Sequence, residues 1–125
     1  LVVEACGGRR GRIHPATRTC QALRMAVNQE LESLEHGLAA AFGLIASGGR
    51  IAVLSFHSLE DRAVKQAFAR HVGRRESLPA GGDRWVGELP LARWVTRTSL
   101  TPEPDEMARN PRARSARLRV VERVG

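Results

Sequence analysis

The sequence predicts a mixed α/β fold in the order helix, strand, helix and two terminal strands. Apolar residues recur at steps of three or four over residues 17–47, and a continuous apolar run follows over residues 51–56. A long helix that leads into a buried apolar run is typical of the second half of a βαβ unit. Residues 93–99 are rich in β-branched and aromatic side chains, and residues 116–121 alternate in polarity, which predicts two last strands.

The periodic segment, residues 17–47, predicts one long amphipathic helix. Thr17 or Thr19 is its expected N-cap, and Gly48-Gly49 is its expected end. The apolar stripe of this helix comprises Leu23, Val27, Leu31, Leu34, Leu38, Phe42 and Ile45. Because few predicted strands are available to cover the stripe, we expect marginal stability or association with a partner, such as a second copy of the chain.

The next two elements are a strand and a helix. The apolar run 51–56 predicts a buried parallel strand, since strands that are covered on both faces are continuously apolar. Helix 58–70 follows, with Ser58 as its expected N-cap and Asp61 three residues on as an acidic variant of the capping box. Its expected apolar face comprises Leu59, Ala63, Val64, Ala67 and Phe68.

The turn between this strand and this helix is a candidate ligand site. Ligands of open α/β sheets bind at the carboxyl ends of strands, and a helix N-terminus favours anions. Phe56, His57 and Ser58 occupy that position. Helix capping and core packing are the alternative roles, and for Phe56 core packing is the favoured one.

Two loops complete the prediction. Residues 73–91 contain six glycines and prolines, which indicates a loop with Trp85 as its anchor. Residues 102–111 predict a second loop with a short acidic turn at Asp105-Glu106.

Positive charge is concentrated at the two ends of the chain. The formal net charge is +7, and 19 of the 20 basic residues are arginine. Coding bias in a GC-rich genome also explains the preference for arginine, but the net excess points to a polyanionic partner. Arg112 and Arg114 follow Asn110-Pro111. They predict a loop that binds phosphate groups, and a solvated basic edge strand is the alternative.

Composition disfavours several other classes. Cys6 and Cys20 are too few for a disulfide scaffold, so we expect a reduced, cytoplasmic setting. The histidines and cysteines lack metal-ligand spacing, and no metal site is expected. No run approaches the roughly 18 apolar residues of a membrane span. The first residues lack the pattern of a signal peptide. Because residue 1 is Leu1 and not Met, we expect the chain to begin inside a longer protein.

Three long blocks carry a resemblance to a known family. They are residues 12–31 (RIHPATRTCQALRMAVNQEL), residues 48–62 (GGRIAVLSFHSLEDR) and residues 110–119 (NPRARSARLR). In this order they resemble the RsmH (MraW) family of S-adenosylmethionine-dependent methyltransferases, which act on a cytosine N4 in 16S ribosomal RNA of the small subunit. Cys20 departs from the resemblance, since an aromatic residue is expected there.

The resemblance implies a fold, a cofactor and a substrate. It implies the C-terminal portion of a class I (Rossmann-like) methyltransferase sheet over residues 12–125, with residues 1–11 as the end of an inserted helical domain. S-adenosyl-L-methionine would be bound mainly by a missing N-terminal half, so this chain alone would bind it weakly and be inactive. The catalytic residues stay unassigned. Candidates for binding the RNA substrate are Arg18, Arg24, Phe56, His57, Ser58, Arg112 and Arg114. The alternative is a non-catalytic basic α/β module that binds RNA or a partner protein.

Overall fold

The computed structural model describes residues 14–125, together with Ala5 and Gly7. The predicted end of an inserted helical domain at residues 1–11 otherwise lies outside the described residues. The chain divides into two compact units, residues 1–33 and residues 34–125. No helix among residues 14–125 is long and apolar enough to cross a membrane.

Two helices replace the single long helix that the periodicity predicts. Helix α1 covers Pro15–Asn28, and helix α2 covers Glu30–Leu44. Gln29 between them has a left-handed backbone with φ of 50°, which a right-handed α-helix does not accommodate. The Asn28 amide donates to the Glu30 carboxylate at 3.4 Å, a local side-chain bond that competes with the helical ladder.

The start of α1 also differs from the prediction. The Nδ1 atom of His14 accepts the backbone N–H of Ala16 at 3.1 Å, and Pro15 fills the first helical position. His14 is therefore the N-cap, and neither Thr17 nor Thr19 has that role. Proline suits this position because its missing N–H would have no helical partner.

The second unit is built on a three-stranded sheet with helices and a separate hairpin. Its other elements, besides most of α2, are β1 (Arg50–Ser55), α3 (Ser58–Val72), β2 (Arg74–Ser77), β3 (Asp83–Val86), β4 (Ala92–Trp94), α4 (Pro104–Arg109), a 3₁₀ helix (Pro111–Ser115) and β5 (Arg117–Arg123). The sheet order is β1-β5-β4, and both pairs are antiparallel. It follows that β1 and β4 run in the same direction, and that their carboxyl ends lie at the same edge of the sheet.

The expectation that β1 is a buried parallel strand is wrong for residues 14–125. It pairs antiparallel with β5, and its side chains alternate between a buried and an exposed face. Ile51 is buried, whereas Leu54 is 55% exposed. Helices α2 and α3 share a core with only one face of the sheet. The apolar run of β1, which the sequence predicts to be buried on both faces, is therefore buried on one face within residues 14–125.

Two phenylalanines form the centre of the core. Phe42 of α2 and Phe68 of α3 meet edge to face with their ring centroids 5.9 Å apart. Phe42 also stacks on the His71 imidazole at 3.7 Å. Val64 and Val121 are also almost completely buried. The apolar stripe predicted over residues 17–47 therefore contributes to the core from Leu34 onward, and the predicted face of α3 contributes to it except for Leu59, which is exposed.

The predicted loop at 73–91 contains the antiparallel hairpin of β2 and β3. Trp85 does anchor it, because its indole lies against Gly73, where a Cβ atom would collide with the ring. Arg84 of β3 donates to Glu76 across the hairpin, and Arg74 donates to the same carboxylate from two residues earlier on β2. These hydrogen bonds, that from Arg74 first, hold the pKa of Glu76 below its usual value.

The two strands predicted near the C-terminus are present, but their bounds differ from the predicted ones. The predicted strand 93–99 is only Ala92–Trp94, and the acidic turn in loop 102–111 is part of helix α4. The last strand is half-buried as predicted, but Arg119 is on its buried side.

Several arginines stabilise the fold. Arg50 and Arg93 donate to Glu122 at 3.0 and 2.6 Å and so connect the three strands. Their hydrogen bonds keep the pKa of Glu122 low. The Arg123 guanidinium donates to the carbonyl groups of Phe42 and Ile45 at the end of α2, where a cation also favours the helix dipole.

Candidate functional site

A cleft of about 660 Å³ opens at the edge of the sheet where β1 and β4 end. Its apolar wall consists of Leu54, Phe56, Leu100, Pro102, Ala113, Ala116 and Leu118. Its polar groups are Thr101, Glu106, Asn110 and Arg112. The connection from β4 to β5 supplies most of these residues, because a bridge between Leu100 and Leu118 folds it against the start of β5.

The turn after β1 presents an aromatic ring to this cleft. Phe56 lines the cleft and is 52% exposed, so the favoured role in core packing is wrong. Its backbone N–H donates to the Glu60 carboxylate of α3 at 2.9 Å. The chain reverses here from the strand into the helix, and this bond fixes the backbone that carries the ring.

His57, and not Ser58, caps helix α3. The Nδ1 atom of His57 accepts the backbone N–H of Glu60 at 3.3 Å, and its Nε2 atom lies 3.2 Å from the carboxylate of the same residue. The side chains of His57 and Glu60 thus form a variant of the capping box, in which Glu60 accepts the backbone N–H of Phe56 and not that of the N-cap residue. Ser58 is exposed at the first helical position. Both residues lie beside Phe56, but neither is among those that line the cleft.

Asp61 has a different partner from the one that the capping-box pattern predicts. Its two carboxylate oxygens accept from Arg119 of β5 at 2.7 and 3.0 Å, with only 10% of the Arg119 side chain exposed. The hydrogen bond from Arg119 is the main reason that the pKa of Asp61 lies below its usual value, and the positive charges of Arg119, Arg117 and Lys65 act in the same direction. The pair fastens the first turn of α3 to the last strand.

Arg112 and Arg114 lie on the 3₁₀ helix between β4 and β5. Ala113 between them is buried and holds this segment on the sheet, while both arginine side chains are exposed. Arg112 lines the cleft, whereas Arg114 does not. Within residues 14–125, neither guanidinium has a hydrogen-bond partner or an acidic partner, unlike Arg109, Arg119 and Arg123. Two of the C-terminal arginines are therefore available for an external anion.

The other two predicted site residues belong to the first unit. Arg18 is exposed on α1, and Arg24 is exposed and pairs with Glu30 at 3.2 Å. Of the seven candidates, the structure brings Phe56 and Arg112 to one cleft. The sequence does not predict that Glu106 and Asn110 line the same cleft. It places Glu106 in an acidic turn and Asn110 in an Asn-Pro loop, and nothing in their spacing joins the two.

The residues described here do not by themselves fit S-adenosylmethionine, the cofactor that the resemblance implies. Anionic or polar cofactor groups are usually received by a glycine-rich turn between a strand and a helix. Within residues 14–125, β1 leads into α3 and β4 leads into α4, and neither connection contains a glycine.

A sheet whose last strand in the chain, β5, lies antiparallel between β1 and β4, with helices on one face and a cleft at the carboxyl edge, is compatible with the C-terminal portion of a methyltransferase fold. The chain belongs to the MraW methylase family, whose sequence pattern matches residues 3–124.

Relatives of this chain carry the name ribosomal RNA small subunit methyltransferase H. The chain is 52% identical to the protein of that name from Thermomicrobium roseum over 124 residues, which are 99% of the chain and 38% of that protein. It is 50% identical to one from Dehalococcoides mccartyi, with 99% of the chain and 36% of the relative covered. It is 55% identical to one from Rhodospirillum centenum over 90% of the chain and 34% of the relative. The chain thus spans little more than a third of the length of these curated relatives.

Proposed function

We propose that the chain is the C-terminal part of an S-adenosylmethionine-dependent methyltransferase that acts in the cytoplasm on the N4 amine of a cytosine in 16S ribosomal RNA. Membership in the MraW methylase family and the printed names of the relatives support the reaction and the substrate class. In this proposal the cofactor is bound by the part of the relatives that the chain does not span, and the chain contributes a surface for RNA.

The cleft at the carboxyl edge is the observation that carries the RNA-binding role. A cytosine amine is a poor nucleophile, because its lone pair is delocalised into the ring, so the enzyme must position it accurately. An enzyme that modifies a base inside a structured RNA also has to hold that base out of its stack, usually against an aromatic side chain. The cleft offers the half-exposed ring of Phe56 and the exposed guanidinium of Arg112, which has no partner within residues 14–125.

A chimera tests the proposed function. The matching segment of the Thermomicrobium roseum relative is replaced by this chain, and methyl transfer from radiolabelled S-adenosylmethionine to small ribosomal subunits is measured. We expect transfer to one cytosine N4, identified by mass spectrometry of nuclease digests. The controls are the unaltered relative and the relative without the segment. A folded chimera that binds the cofactor and transfers no methyl group to RNA would contradict the proposal.

Arg112→Ala and Arg114→Ala in this chimera should each weaken RNA binding and flatten its salt dependence. A guanidinium that neutralises one phosphate contributes about one unit to the slope of log affinity against log salt. The loss should be similar for different RNA sequences, because phosphate contacts carry no base information. Cofactor binding should stay unchanged.

Arg109→Ala is the matched control, because Asp105 already pairs with that guanidinium at 3.0 Å. It should leave the slope unaltered. If Arg112 and Arg114 instead hold the sheet edge, their replacement lowers the melting temperature and leaves the RNA affinity of the folded protein unchanged. An unchanged salt slope would therefore refute their assignment to the RNA backbone.

A further inference from the structure

The cleft contains one exposed carboxylate, that of Glu106. Glu106 lies in the first turn of α4 and lines the cleft together with Asn110 and Arg112. Within residues 14–125, the Glu106 side chain has no hydrogen-bond partner and no basic partner. The neighbouring acid Asp105 differs, since its carboxylate is paired with Arg109 and does not line the cleft.

We propose that Glu106 is a specificity-determining residue that accepts a hydrogen bond from the exocyclic amino group of a base held in this cleft, with Asn110 beside it on the same edge of the base. The inference rests on the proposed function, because it takes an RNA nucleotide as the ligand. It adds the residue that distinguishes one base from another.

The charge of the cleft supports a nucleotide over a purely anionic ligand. Arg112 suits a phosphate group, and the ring of Phe56 suits the flat face of a base. A carboxylate in the same cleft repels phosphate and favours a ligand that also carries a hydrogen-bond donor. The base edges of RNA provide such donors, and a carboxylate is the side chain that accepts from the amino group of cytosine.

Asn110 complements this arrangement. Its backbone N–H donates to the Glu106 carbonyl at 2.8 Å, so the two residues are one helical turn apart. An ionised carboxylate only accepts hydrogen bonds, whereas an amide both donates and accepts. Cytosine presents an amino donor next to a ring-nitrogen acceptor, which matches the two side chains. Uracil presents a carbonyl oxygen at the first position, and this oxygen would face the carboxylate.

The test uses Glu106→Gln in the chimera. Two RNAs are compared by anisotropy: the RNA segment that contains the methylated cytosine, and the same segment with uridine at that position. We expect the chimera with the original cleft to bind the cytidine RNA about 10-fold more tightly. In the variant this ratio should fall to near one, chiefly because the uridine RNA is no longer repelled. Glu103→Gln is the control, since Glu103 precedes α4 and does not line the cleft, and it should keep the original ratio.

The outcomes separate the two proposals. If the unaltered chimera methylates RNA and Glu106→Gln keeps the original ratio between the two RNAs, the assignment of Glu106 is wrong while the proposed function stands. A parallel loss of affinity for both RNAs with a lower melting temperature would also overturn the assignment, since it indicates a structural role. If the unaltered chimera transfers no methyl group to RNA, both proposals fail.

Discussion

Phe68→Ala should lower the free energy of unfolding of the second unit by about 3–5 kcal/mol, the usual cost of removing a buried aromatic ring. The Phe68 side chain has no exposed surface. Its ring meets Phe42 edge to face at 5.9 Å and Trp94 at 6.0 Å. The truncation therefore removes contacts to α2 and to β4 at once and leaves a cavity between them.

Urea unfolding followed by circular dichroism measures this loss. Leu89→Ala is the matched control, because the Leu89 side chain is 75% exposed, and it should change the free energy of unfolding by less than about 0.5 kcal/mol. Equal losses in the two variants would show that Phe68 is not at the centre of the core.

The sequence predicts this core well, because its signal is periodic and local. The apolar stripe that contains Leu38 and Phe42 and the apolar face of α3 that contains Val64 and Phe68 all appear in the core. The helix break at Gln29 is different. No glycine or proline marks it, and its left-handed backbone depends on side-chain bonds at the junction that periodicity does not report.

The burial of β1 could not be predicted from its sequence alone. A strand that reads Ile-Ala-Val-Leu is apolar on both faces, and only the placement of the helices decides which face is covered. The same limit applies to the last strand. The charge of Arg119 predicts an exposed side chain, but the carboxylate of Asp61 in α3 pairs with its guanidinium and so allows the side chain to be buried.

The candidate site was predicted in its parts and not as a whole. The turn at Phe56 and the loop at Arg112 were both identified, from the end of a strand and from a basic loop. Their common cleft results from the antiparallel return of β5, which brings the connection at 100–116 to the end of β1. Local spacing carries no information on that pairing. The roles of Arg119 and Arg123 in the fold were hidden for the same reason, since their partners are distant in sequence.

Asp61→Asn should lower the free energy of unfolding at pH 7 by about 3 kcal/mol. This is the lower end for breaking a buried ion pair, because 19% of the Asp61 side chain remains exposed. The substitution removes the charge that compensates Arg119 and keeps the shape of the side chain. The loss should be accompanied by weaker RNA binding in the chimera, because the first turn of α3 carries the backbone that positions Phe56.

The pH dependence identifies the ion pair as the cause. The hydrogen bond from Arg119 lowers the pKa of Asp61 in the folded state below its ordinary value of 3.8. The unfolded chain therefore binds the proton more readily, so the pair contributes fully above the unfolded pKa and its contribution is lost as pH falls through the folded pKa. The unaltered chain should lose stability relative to Asp61→Asn as the pH decreases below about 4. Asp105→Asn provides the control, since that carboxylate and its partner Arg109 are 74% and 77% exposed and such pairs contribute less than about 1 kcal/mol. If the difference in stability between the unaltered chain and Asp61→Asn is the same at pH 7 and at pH 2.5, the ion pair is not what fastens α3 to the last strand.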